Sequence, residues 1–181
     1  IGQAPGAVFG SCRRKFVEHA TLENGQSMMD RLFDVFEAHD VRAFFYNGGN
    51  DSMDTAHRVA LAASKRGYPL NVVGIPKTVD NDLEGCDHTP GYGSAAKYTA
   101  VALLEAARDL RAMAVDSTQV FVLESMGRHA GWLAAAGVLA SLEQEDVPHL
   151  VLLPEVPFID SHFLAAVERA VARHGMCTIV A

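Results

Sequence analysis

The sequence predicts an α/β fold of three layers: a mainly parallel sheet with helices on both faces. Two observations carry that prediction. Short apolar runs alternate with amphipathic segments of helical period, strand then helix, along most of the chain. The runs are also continuously apolar rather than alternating, as expected for strands covered on both faces. The arrangement is Rossmann-like, and in such sheets ligands bind outside the carboxyl ends of the strands.

Residues 1–26 are glycine-rich and then mixed, with Arg13, Arg14 and Lys15 following Gly10-Ser11-Cys12. Three cations after Gly-Ser suit an anion-binding loop and equally a solvated face. Residues 27–39 carry Met28, Met29, Leu32, Phe33, Val35 and Phe36 as a helical stripe behind an N-cap at Ser27. Residues 42–46 read as a strand and residues 52–66 as a helix ended by Gly67 and Pro69. Residues 70–75 form the next strand, closed by Pro76, and a polar loop runs from Lys77 to Thr89. Pro90-Gly91-Tyr92-Gly93-Ser94 leads into a long Ala- and Leu-rich helix ending near Val115, followed by a strand at 119–123 and an Ala-rich helix to about Leu142. Residues 149–153 are a strand, 161–174 a helix, and 178–180 the start of one more strand. There is no internal repeat and no low-complexity segment.

The 181 residues suffice for a single α/β domain with a sizeable core, spanning 1–181. With 49% hydrophobic and 20% charged residues the chain is globular. A net charge of −7 argues against a nucleic-acid face, which rests on clustered Lys and Arg, yet it leaves small phosphorylated ligands open. Cys12, Cys86 and Cys177 are odd in number and far apart, which suggests a reducing compartment and no metal-finger spacing. No signal peptide and no membrane-spanning run is visible, so a cytoplasmic location is the simplest expectation. A start without Met and an end inside a strand-like run read as truncation at both ends of a longer protein.

Three polar clusters sit at expected strand ends. In Gly48-Gly49-Asn50-Asp51-Ser52, glycine lets the backbone N–H groups meet an oxyanion, and Ser52 can cap a helix whose positive end faces the same place. An ordinary strand-to-helix turn needs the same residues. In Pro76-Lys77-Thr78-Val79-Asp80-Asn81-Asp82, two carboxylates two residues apart can share one side of an extended loop. One can take a proton from a hydroxyl and the other hold a divalent cation, while Lys77 suits phosphate. A plain Asp-Asn-Asp turn is the bland alternative. In Glu124-Ser125-Met126-Gly127-Arg128-His129, Gly127 frees an N–H beside Arg128, which can bind an anion bidentately. His129 reads as a structural or capping residue, and Trp132 and Ala134–Ala136 as helix packing. Scattered turns would not collect this much chemistry on one sheet edge, which tilts all three towards function.

Taken together and in this order, Gly48–Ser52, Pro76–Asp82 and Met126-Gly127-Arg128-His129-Ala130-Gly131 resemble the three signature segments of the phosphofructokinase family. Gly10-Ser11-Cys12-Arg13 resembles its upstream Gly-Ser-x-Arg segment, so the resemblance covers about residues 6–181. It implies magnesium-dependent phosphoryl transfer to the C1 hydroxyl of fructose 6-phosphate, by an enzyme that is a homo-oligomer when complete. Asp80 would be the general base, with Lys77 and Thr78 beside the reacting groups and Asp82 supporting them. Met126, Gly127 and Arg128 would bind the sugar phosphate with Thr78, Asp80 and Asp82. Arg13, Gly49, Asp51, Ser52 and Lys77 would meet the donor phosphates. Asp51 and Asn50 are the implied magnesium ligands. Asn50 stands where most members carry aspartate, and an amide is the weaker ligand, so binding is expected to fall on Asp51, Asp82 and water. Glu155 matches an effector-site position of bacterial ATP-using members and reads as structural here. Gln119 replaces an arginine of those members.

Two positions bear on the donor. ATP-using members resemble Gly-Gly-Asp-Gly-Ser and Pro-Gly-Thr-x-Asp-Asn-Asp, whereas Asp51 and Lys77 here replace a glycine in each. A carboxylate at 51 would crowd and repel a nucleotide α-phosphate, and Lys77 offers charge to a short donor. Both resemble the pyrophosphate-dependent branch. The alternatives are an ATP-dependent 6-phosphofructokinase and a regulatory subunit that binds sugar phosphate without turnover. NAD kinases and diacylglycerol kinases share a Gly-Gly-Asp-Gly turn but not the other two segments.

Overall fold

The computed structural model describes residues 10, 16–17, 20–142 and 147–181. Two compact units are present, Ile1–Pro76 and Lys77–Ala181.

In the first unit the elements run α1 (Met28–Ala38), β1 (Ala43–Gly48), α2 (Asn50–Arg66) and β2 (Asn71–Pro76). Ser27 caps α1 as expected: its Oγ accepts the Asp30 N–H at 3.0 Å and donates to the Asp30 carboxylate at 2.6 Å. That bond from Ser27, together with an ion pair to Arg66 at the end of α2, holds the Asp30 carboxyl below its usual range. The Arg66 guanidinium also lies over the Phe33 ring, 4.6 Å from its centroid. β1 and β2 pair in parallel from Ala43↔Asn71 to Gly48↔Pro76. The core beneath them joins Met29, Phe33 and Phe36 of α1 to Val59 and Ala63 of α2, with Phe44 and Val72 packed on. Phe33, 1% exposed, sits at its centre. Phe33→Ala is expected to cost about 3–5 kcal/mol, read as a lower urea midpoint at unchanged slope.

The strands differ from expectation in two ways. β1 extends past the apolar run because Gly48 pairs with Pro76, so the glycine pair is split: Gly48 closes the strand and Gly49 caps the helix. Among the described residues the sheet is also covered on one face only, and Phe45 is 63% exposed, with Val73 and Ile75 exposed beside it. Among the described residues the strands form two parallel sheets, β1-β2 and a three-stranded one, not a single continuous sheet.

The second unit contains α3 (Tyr92–Met113), β3 (Val120–Leu123), α4 (Trp132–Ala136), a 3-10 helix (Gly137–Leu142), β4 (Leu150–Val151), α5 (Asp160–His174) and β5 (Cys177–Val180). Its strands are parallel in the order β3-β5-β4, so the last strand in sequence lies in the middle. Every residue of β5 is buried. On one face Val180, Phe121 and Leu123 meet Leu103 and Ala107 of α3 and Ala134 of α4. On the other, Cys177 and Ile179 meet Val167, Ala170 and Val171 of α5. This unit has the predicted helix–sheet–helix layering. Burial raises the pKa of the Cys177 thiol. The expected single helix to Leu142 tightens into 3-10 form at Gly137, where a Cβ would overlap the Val180 side chain.

Candidate active site

Each of the three clusters follows the carboxyl end of a strand, and each is built differently. After β1, Gly49 is the N-cap of α2, in extended backbone at φ −79° and ψ −165°. Its carbonyl accepts the N–H groups of Ser52 at 2.9 Å and Met53 at 3.1 Å. Ser52 is therefore the third residue of the helix and not its cap, which corrects the expectation from sequence. The reason is steric: a Cβ on Gly48 would overlap the Ser52 side chain, so the glycine lets the first turn fold down onto the strand end. Asn50 and Asp51 occupy the exposed outer side of that turn. The unpaired backbone N–H groups of a helix start and the dipole behind them favour anions there. Thr55 Oγ1 donates to the Asp51 carbonyl at 2.9 Å, which ties the turn to the helix.

Asn50 and Asp51 offer one amide oxygen and one carboxylate. Among the described residues no three His, Cys, Asp or Glu side chains gather into a metal site. Such a sparse donor set suits magnesium, which keeps its waters and binds through one or two carboxylates plus substrate phosphates. Arg13 lies outside the described residues.

After β2, Lys77 is exposed and the chain folds into a fixed loop. Thr78 Oγ1 accepts the Asp80 N–H at 3.0 Å. Asn81 is the pin: its Oδ1 accepts the Thr89 N–H at 2.9 Å and its Nδ2 donates to the Asp87 carbonyl at 3.3 Å. It does so from the left-handed region, at φ 58°, and is only 9% exposed. The carboxylates on either side of it, Asp80 and Asp82, each bury an Oδ1 that has no hydrogen-bond partner among the described residues. A buried acceptor without a donor is costly, and an incoming hydroxyl or hydrated cation would satisfy it. Sequence reasoning chose the two aspartates and passed over Asn81. The available signal was that asparagine tolerates left-handed backbone and can bond both ways along a loop.

After β3, Ser125 fixes the start of the third cluster, its N–H and Oγ donating to the Ala181 carbonyl at 2.7 and 2.8 Å. Gly127 takes φ 124°, and a Cβ there would collide with the Ala130 carbonyl, so the turn needs glycine. Met126 and Arg128 project outward. Arg128 Nε donates to His129 Nε2 at 3.1 Å, which makes His129 a guide for the guanidinium. Glu155 Oε1 accepts the Gly131 N–H at 2.8 Å, at the start of α4.

Within the Lys77–Ala181 unit the second cluster packs against the helix that follows the third. Val79, between Thr78 and Asp80, packs with Ala96 of α3 and with Leu133 and Ala136 of α4. Tyr92 Oη at the start of α3 donates to the Trp132 carbonyl at 3.4 Å. The aspartate loop thus rests on α3 and on α4, the helix that follows the Met126–Arg128 turn. Gly49, Asp51 and Ser52 belong to the other unit.

Known proteins share this chain throughout. The phosphofructokinase family pattern matches residues 1–181. A pyrophosphate–fructose 6-phosphate 1-phosphotransferase of Xanthomonas campestris pv. campestris is 54% identical over 181 residues, which is 100% of this chain and 43% of that protein. One from Halomonas elongata is 51% identical over 180 residues, 99% of this chain and 42% of that protein. The crystal structure of a pyrophosphate-dependent phosphofructokinase from Nitrosospira multiformis superposes with a TM-score of 0.78 at 49% identity, over 97% of this chain and 42% of that one. The chain thus spans less than half the length of these relatives. No helix among the described residues is long and apolar enough to cross a membrane. With a match that leaves out no residue and identity above one half, the chain belongs to the phosphofructokinase family.

Proposed function

We propose that the complete protein transfers a phosphoryl group from pyrophosphate to the C1 hydroxyl of fructose 6-phosphate, giving fructose 1,6-bisphosphate and phosphate. The observation that carries this reading is the pair of buried carboxylate oxygens on Asp80 and Asp82 that have no hydrogen-bond partner among the described residues, in a loop packed on the helix that follows the arginine turn. The names of relatives at 51–54% identity support the donor.

Arg128 binds the sugar 6-phosphate, with Met126 and the Gly127 backbone shaping its seat. The substrate C1 hydroxyl meets Asp80, which takes its proton as the oxygen bonds to the donor phosphorus and the bridging P–O bond breaks. Phosphate departs, and the proton passes from Asp80 to solvent. Thr78 holds the Asp80 backbone, and Asp82 carries a second negative charge beside the base. Gly49, Ser52, Lys77 and Arg13 hold the donor. Asp51, with Asn50 beside it, would hold magnesium, which when bound offsets charge on the donor phosphates. Little covalent chemistry falls to the protein: positioning and charge neutralisation do most of the work.

The complete protein, assayed with fructose 6-phosphate and each donor in turn, is expected to turn over with pyrophosphate and only weakly with ATP. Faster turnover with ATP would overturn the donor assignment. Tight fructose 6-phosphate binding with no turnover on either donor would leave the regulatory-subunit reading in its place.

A further inference from the structure

We infer that Glu155 is a positioning residue for the sugar-phosphate turn, holding Met126–Arg128 in binding register through the Gly131 backbone. The inference rests on the proposed function above and deepens it. Glu155 follows β4, far in sequence from the turn after β3, yet its Oε1 accepts the Gly131 N–H at 2.8 Å. Gly131 is buried, and a Cβ there would overlap Leu153, Pro154 and the Glu155 carboxylate, so the two segments are in close contact.

The turn has three fixed points. Ser125 is tied to the Ala181 carbonyl, Ala130 N–H donates to the Gly127 carbonyl at 3.3 Å, and Gly131 is tied to Glu155. Arg128 and Gly127 lie between the first point and the last. The Gly127–Ala130 bond is long, and Gly127 sits where few residues can, so this turn does not fix its own shape. The Glu155 bond supplies the outside constraint at the end that leads into α4. Because the carboxylate reaches Gly131 and not the reacting groups, its loss should loosen the seat of the sugar phosphate and leave the chemistry at Asp80 intact.

The test uses the complete protein with pyrophosphate and fructose 6-phosphate. Glu155→Ala is expected to raise KM for fructose 6-phosphate about 3- to 10-fold, the range one net hydrogen bond supports, with kcat and the KM for pyrophosphate within about twofold. Glu155→Gln keeps an acceptor oxygen and should restore KM. Three outcomes would overturn the inference: an unchanged KM in Glu155→Ala, an equal rise in KM for both substrates, or a glutamine variant as impaired as alanine. The last would mean that charge, and not the hydrogen bond, is what matters. Wild-type protein run in parallel keeps the two ideas apart, since absence of turnover there would strike the proposed function and not the role of Glu155.

Discussion

Replacing Asp80 with asparagine in the complete protein is expected to lower kcat for fructose 6-phosphate phosphorylation by about 10²–10⁴-fold, with KM changed by no more than about threefold. A positioned general base is worth that range, and asparagine keeps the shape while losing the ability to take a proton. The split between kcat and KM follows from geometry. The Asp80 backbone is held by Thr78 Oγ1, and the loop is held from the other side by Asn81, neither of which needs the Asp80 carboxylate. Steady-state kinetics with pyrophosphate, alongside direct fructose 6-phosphate binding, gives both numbers. A kcat within tenfold of wild type would remove Asp80 from the base role, while lost binding with a lowered melting point would mark it as a structural residue.

The double variant Asp51→Gly with Lys77→Gly is expected to move the donor preference from pyrophosphate towards ATP. Asp51 lies in the first turn of α2, exposed, with its carboxylate available to whatever approaches that helix start. A like charge brought up to an exposed carboxylate costs about 0.7–2 kcal/mol depending on salt screening, a factor of about 3–30 in binding. Removing Asp51 takes a magnesium ligand from both donors alike but the repulsion from ATP alone, so kcat/KM for ATP should rise about 3- to 30-fold relative to that for pyrophosphate. Removing Lys77 should lower it for pyrophosphate by a similar factor, because a compact inorganic donor depends more heavily on each cation. Both constants are measured on one preparation. If ATP use stays flat and wild type already uses ATP freely, these two positions do not select the donor.

Much of the fold was legible because its helices announce themselves. The α1 stripe is the stripe that packs in the core, and Ser27 caps it. Two of the polar clusters were legible because glycine beside Asp, Arg or Ser is a local signal, and the other because two aspartates stand two residues apart behind a lysine. What the sequence did not disclose is pairing. Nothing in residues 177–180 says that they lie between the two strands that precede them, since strand order depends on contacts distant along the chain. The one-sided burial of β1 and β2 was hidden for the same reason: Phe45, Val73 and Ile75 look like core residues in any local window. Ser52 looks like a cap because serine is a favoured N-cap, whereas the helix begins two residues earlier, at Asn50 behind Gly49. Asn81 was undervalued because it acts on backbone groups six and eight residues away, which no motif spells out.

The central position of β5 has a consequence for sulfur chemistry. Cys86 is exposed, its Sγ set against the His88 carbonyl at 3.4 Å, whereas Cys177 has no accessible surface and its thiol stays protonated to higher pH than usual. Only thiolate reacts with alkylating reagents, so the two sulfurs keep different time. Cys86 reports the concentration of reagent. Cys177 reacts only when α5 lifts from the sheet face that it covers, which makes its alkylation a clock for the opening of that helix–sheet contact.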